Sequence, residues 1–427
     1  MRKEGCQLNP FHMKPGKKAD LIVNWEQLWT KPYDKNAVDP YTRTRVILMN
    51  GTEFESVWFG HQFSRNTVDN ELRRTVALIR RSEQQQQKLI AHLKPGDETP
   101  LEHTIGYEQL AVDLTAHLAK RVSDMGVKNA LDFALLEDFD HLYRYSDYLD
   151  MKSGVKAENL VGRYTEIMPG RPTVSEHRHP YDDIRFPMTG RNVDVMNMLA
   201  ANVITAAEQQ TMNFYMNLSA TYPEETGRRL YQEIGMIEEQ HVSQYGSLLN
   251  PNMTWLENLL VHQFTECWLY WSCYETETDA YVKSVWERMF EKELMHLHIA
   301  EGLLREYEGK EWQHVIPNAE FPEPLKLESN IEYVRQILGS TVNNTACREN
   351  YVDVSCLPEG GTFADYQQQV NVPLENVMSH AVIEQYIAQK GQDYRFETAP
   401  HPVPELRDRT VDNTQVGRMP QKVLERV

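Results

Sequence analysis

The chain has 427 residues, with 62 acidic against 44 basic side chains and a formal net charge of -18. That balance repels nucleic acid and argues against a nucleic-acid partner, while 41% hydrophobic and 25% charged residues suit a globular protein. No run approaches the ~20 apolar residues of a membrane span; five scattered cysteines and the polar, basic start Met1–Asp20 predict a reduced, cytoplasmic protein without a signal peptide.

Residues 1–66 lack helical periodicity and read as an irregular N-terminal arm. Within it two extended-looking runs, 45–49 and 56–59, flank Asn50-Gly51, which suits a tight hairpin turn. Helical patterns follow over about 68–93, ending at Pro95-Gly96, then over 102–122 and, past Gly126, over 129–151. Residues 152–191 are rich in proline and glycine and predict a long irregular crossover. In it Glu176-His177-Arg178-His179 reads as a solvated loop, with metal or phosphate binding as the alternative.

Helices resume over about 193–221, 224–249 and 254–274, and a last long one reaches Tyr307 and stops at Gly309. Pro223, Pro251 and the segment Thr276-Glu277-Thr278-Asp279 separate them. The expected organisation is an all-α chain: arm 1–66, one helical bundle 67–309, and a C-terminal extension 310–427. That extension carries short helices near 328–339 and 373–390 and a Pro-rich, charged end.

Two helices carry Glu-x-x-His: Glu238 with His241, and Glu293 with His296. Positions three apart share a helix face, so one carboxylate and one imidazole can reach the same ion. The helix before each carries a lone Glu on an apolar stripe, Glu208 and Glu266. A buried carboxylate needs a partner, and a cation is one. Glu208 and Glu238 stand equally far from Pro223, so hairpin arms of equal length bring them to one level. A looser copy pairs Glu108 with Asp138 and His141. A mixed oxygen and nitrogen donor set suits iron or manganese. Gln209, Gln240 and Tyr245 are candidates to orient the ligands. The aromatic residues around Glu266 and the thiols Cys267 and Cys273 read as core.

This pattern resembles the ferritin-like di-iron carboxylate superfamily, in which Glu, Glu-x-x-His, Glu and Glu-x-x-His lie on four helices. The resemblance covers about residues 102–308. It implies two iron ions, or manganese or a mixed pair, and oxidoreductase chemistry on dioxygen or peroxide with a small-molecule substrate that the sequence leaves unknown. Homo-oligomerisation is an open expectation. Glu208, Glu238, His241, Glu266, Glu293 and His296 are the ligands implied by the matched hairpins. The crossover at 152–191 instead favours Glu108, Asp138, His141, Glu208, Glu238 and His241, and both sets stay open. Metal storage, manganese-type peroxide removal and a metal-free helical scaffold are the rival readings.

Overall fold

The computed structural model describes residues 8–162, 164–190, 193–358, 360–373 and 376–391. The expected Pro-rich end beyond 391 lies outside them. The chain is all-α, its only sheet among the described residues being a two-stranded hairpin. It divides into two compact units. The first is drawn from three stretches, Met1–Glu98, Pro187–Gln210 and Leu249–Lys326, and the second from Thr99–Phe186, Thr211–Leu248 and Leu327–Val427. This corrects the single 67–309 bundle expected from the sequence.

The first unit pairs α1 (Pro40–Arg65) with α2 (Asn70–Ala91), and α9 (Trp255–Thr276) with α10 (Ala280–Glu308). α1 also packs on α9, and α2 on α10. The two extended-looking runs of the sequence, and the hairpin between them, are in fact one helix, α1. Asp39 caps it through its side chain and Pro40 opens it. Gly51, read as a turn residue, serves close packing instead: a Cβ there would lie 2.8 Å from Gln210 Cβ. The irregular arm therefore ends before Pro40, and 8–39 contain only short 3-10 turns. The opening of α9 is fixed by a reciprocal capping box between Thr254 and Glu257. α10 ends on Gly309 in the left-handed region, φ 64°.

The second unit is built on the antiparallel pair α3 (Pro100–Ala119) and α4 (Met125–Ser153). A capping box of Thr99 and Glu102 starts α3, and Asp124 caps α4. α8 (Glu225–Gly246) packs on α4. α7 (Val195–Thr221) runs through both units, which divide it after Gln210. Its later half stacks Phe214 on Tyr107 of α3, ring centres 4.5 Å apart.

The crossover is irregular as expected, with α5 (Ala157–Val161), α6 (Thr173–Glu176) and the 3-10 turn Pro180–Asp182 as its short turns of helix among the described residues. After it come α11 (Ile331–Thr341), the hairpin β1 (Asn344–Cys347) and β2 (Asn350–Asp353), α12 (Thr362–Val370) and α13 (Met378–Lys390). The hairpin and α12 were not anticipated. The hairpin turns through Arg348 at φ 55°, where no Asn-Gly or Gly-Gly signal marks it. No helix of the described residues is long and apolar enough to cross a membrane.

Candidate metal centres

The second unit brings acids and imidazoles of α3, α4 and α8 together. Glu108 stands on α3, Glu137, Asp138 and His141 on α4, Glu238 and His241 on α8, and all six are 0% exposed. Ligand atoms of Asp138, Glu238 and His241 lie within 4.8 Å of one another, as do those of Glu108, His141 and Glu238. Glu238 belongs to both groups and is the middle of the cluster. His141 Nδ1 is 3.1 Å from Glu238 Oε1. The two imidazole rings lie 6.3 Å apart at 24° to each other.

A further residue, Glu137, sets the state of His241. Arg178 donates to Glu137 Oε1, and Arg171 Nε lies 3.7 Å from the same oxygen. Burial pushes the Glu137 carboxyl up, but Arg178, His241 and Arg171 outweigh it and hold it below the usual range. Ionised, Glu137 can only accept, so the proton of the 2.7 Å contact between its Oε2 and His241 belongs to Nε2. In the neutral imidazole the Nδ1 lone pair then faces Asp138 Oδ1 at 3.2 Å and Glu238 Oε2 at 3.1 Å. Three acceptors turned on one another need a cation between them, a second proton or a metal ion.

The electrostatics around them are uneven. Burial disfavours ionisation of Glu238, but the hydrogen bond with His141, and one with His241 when that ring carries its second proton, hold its carboxyl down at about 2. Burial prevails at Asp138 and raises it. Tyr215 on α7 donates its hydroxyl to Glu108, and burial and Glu108 push that phenol well up. Tyr145 and Tyr231 pack beside it, with ring centres 5.3 and 5.6 Å from the Tyr215 ring.

The crossover supplies the arginines. Glu176 and Arg178 are 0% exposed and His177 6%, so the solvated loop expected at 176–179 is overturned: its cation is drawn inward by Glu137. Gln240 holds it there, accepting from the Arg178 backbone N–H at 2.9 Å. Tyr245 is fully buried, its ring centre 6.2 Å from that of His241.

The remaining predicted residues divide. Glu208 is buried on α7, almost two helical turns before Tyr215 and so on the same face. Glu266, Glu293 and His296 are buried on α9 and α10 of the first unit, in a separate cluster. The set implied by the matched hairpins therefore does not form one site. Equal hairpin arms fix the level along a bundle and leave open which helices share it. Sequence reading passed over Glu137 because it sits one position outside the Asp-x-x-His spacing. It passed over Tyr215 because a tyrosine on an apolar stripe looks like core. Comparison of the chain with protein-family models, curated proteins and solved structures finds no match.

Proposed function

We propose that the second unit holds a carboxylate-bridged pair of metal ions of the ferritin-like kind, and that the chain is an iron-dependent oxidoreductase acting on dioxygen or peroxide. The observation that carries this reading is the chain Arg178–Glu137–His241. An ionised carboxylate fixing the outer nitrogen of a buried imidazole, with the inner nitrogen turned toward two carboxylates, is how proteins orient a histidine ligand. Asp138, Glu238, His141 and His241 are the ligand candidates, with Glu108 on α3 beside them. Oxygen and nitrogen donors together suit iron, with manganese close behind.

Bound there, iron would supply the electrons that reduce an oxygen substrate. The protein's own part is clearer. Arg178 and Arg171 keep Glu137 ionised, Glu137 keeps the proton on His241 Nε2, and burial of all six residues keeps bulk water out. Tyr215 places an O–H on Glu108, next to the group formed by Glu108, His141 and Glu238.

The test is iron uptake by the full chain, purified without chelator and loaded anaerobically. The parent is expected to bind iron, and the double variant Glu238→Gln, His241→Asn to bind less, with unchanged far-UV circular dichroism. Equal iron content in the two proteins would sink the reading. A metal-free reading is favoured by one observation: both imidazoles contact Glu238 and could neutralise it as imidazoliums. It predicts no metal-dependent rise in thermal stability, whereas the dimetal reading predicts one.

A further inference from the structure

The first unit repeats the arrangement, joining Glu266, Glu293 and His296 to residues that only its fold reveals. α1 contributes Glu53, α2 Glu83 and Gln86, α9 Gln263 and Glu266, and α10 Glu293 and His296, and none is more than 1% exposed. Ligand atoms of Glu83, Glu293 and His296 lie within 4.8 Å of one another, as do those of Glu53, Glu83 and Glu266. Glu83 is common to both groups. His296 Nδ1 is 3.0 Å from Glu83 Oε1 and 3.2 Å from Glu293 Oε2. The pattern is a lone acid and an acid-x-x-donor, twice over: Glu53 with Glu83-x-x-Gln86, and Glu266 with Glu293-x-x-His296.

The donors in the cluster do not satisfy its acceptors. Gln86 Nε2 donates to Glu53 at 2.9 Å and to Glu83 at 3.0 Å, and it also reaches Glu293. Gln263 Nε2 donates to Glu266 at 2.7 Å and to Glu83 at 3.2 Å. Tyr270 donates to Glu53. Glu53 Oε2 and Glu266 Oε1, both sealed from solvent, accept no hydrogen bond. Among the described residues no lysine or arginine forms an ion pair with any of the four acids. Lys292 gives its ammonium to the Leu21 carbonyl, 3.2 Å away, and Lys310 and Arg45 are taken by Glu257 and Glu277. Four inward acids with one imidazole among them do not stay charged in a protein interior alone: burial and their mutual repulsion push Glu53, Glu266 and Glu293 up toward the protonated form, and bound cations are the other way to hold them together.

We propose that the first unit binds hard divalent transition-metal ions, manganese(II) or iron(II), at a second centre made by Glu53, Glu83, Glu266, Glu293 and His296. It goes beyond the reading of the second unit and does not rest on it. The donor set differs from that of α4 and α8. It has one imidazole where the other has two, and its remaining ligands are oxygens, a composition that favours manganese(II) over softer ions. Gln86 and Gln263 each bond two or more of the acids and so position them without adding charge.

The experiment uses the full chain loaded anaerobically with manganese(II) alone and crystallised, with anomalous scattering recorded at the manganese edge. A peak between Glu53, Glu83, Glu293 and His296 is expected. In solution, Glu83→Gln should lose manganese that Glu225→Gln, an exposed change at the start of α8, retains, both keeping the parent circular dichroism. Anomalous peaks confined to the α4 and α8 acids, no peak at all, or full manganese content in Glu83→Gln would overturn the proposal. If Glu83→Gln does not fold, the map of the parent protein decides alone. Peaks confined to the first unit would sink the α4 and α8 reading and leave this one standing.

Discussion

At the scale of single residues, the second unit depends on one buried carboxylate that is itself no ligand candidate. Glu137→Gln keeps the shape but removes the charge that fixes the His241 tautomer. Metal affinity is expected to fall about 10- to 100-fold with little loss of fold, read by competition with a chromophoric chelator. Arg178→Met should behave differently. It strips Glu137 and Asp183 of their shared guanidinium, and leaving buried charge uncompensated should cost about 3–5 kcal/mol in urea unfolding. The ligand candidates Glu238 and His241 were legible in the sequence because the three-residue spacing is written on one helix. Glu83 was not, because Gln86 stands where a histidine would have completed the pattern. Glu53 was hidden by the misreading of its helix.

Among the elements, the crossover shows how an irregular segment is held. Gly170 passes so close to α4 that a Cβ would lie 2.1 Å from the Leu136 carbonyl oxygen. Its N–H donates to Asp140 Oδ1 at 3.0 Å, and the next residue, Arg171, is one of the two cations on Glu137. Gly170→Ala should therefore cost about 1–3 kcal/mol or more and weaken metal binding along with it, measured by denaturant unfolding and metal titration. The long helices were legible because caps and apolar periodicity agree: Thr99 with Glu102, Thr254 with Glu257, and Gly309 mark real ends. The crossover's inward path was not, since nothing local distinguishes a buried arginine from a solvated one.

α13 is attached by polar contacts at both ends as well as by its buried Met378, Val382 and Ile383. Glu233 accepts from the Met378 N–H at 2.7 Å at its start. Near its end Tyr386 donates to Asp150 at 2.7 Å, beside Lys156 and Lys390. Burial raises the Asp150 carboxyl, but Lys156, Tyr386 and Lys390 outweigh it and leave it depressed. A carboxyl depressed in the folded state stabilises above its unfolded pKa, and that contribution is lost as pH falls through the folded one. Asp150→Asn should thus destabilise by about 1 kcal/mol at pH 7, with the gap to the parent closing under acid, as unfolding curves at the two pH values would show.

For the molecule as a whole, two units with their own acid clusters predict two thermal responses to metal. Saturating each centre at about 100 times its Kd adds roughly 2.7 kcal/mol to the unit that binds. Manganese(II) should then protect both units in the parent, and only the second in Glu83→Gln, followed by hydrogen exchange resolved along the chain. A uniform response in both proteins would contradict separate centres.

The nested order of the chain also fixes a timetable. Glu53 and Glu83 leave the ribosome long before Glu266, Glu293 and His296, because 99–186 and 211–248 belong to the other unit. At ~5–20 residues per second the wait is on the order of 10–40 s. Throughout it the α1–α2 hairpin stands half-built, its acids open to water, while the helices α3, α4, α7 and α8 are delivered one after another. Nascent chains arrested just short of α10 should therefore leave α1 and α2 open to protease, while α3 and α4, still without α11 and α13, gain their full protection only once 327–390 have followed.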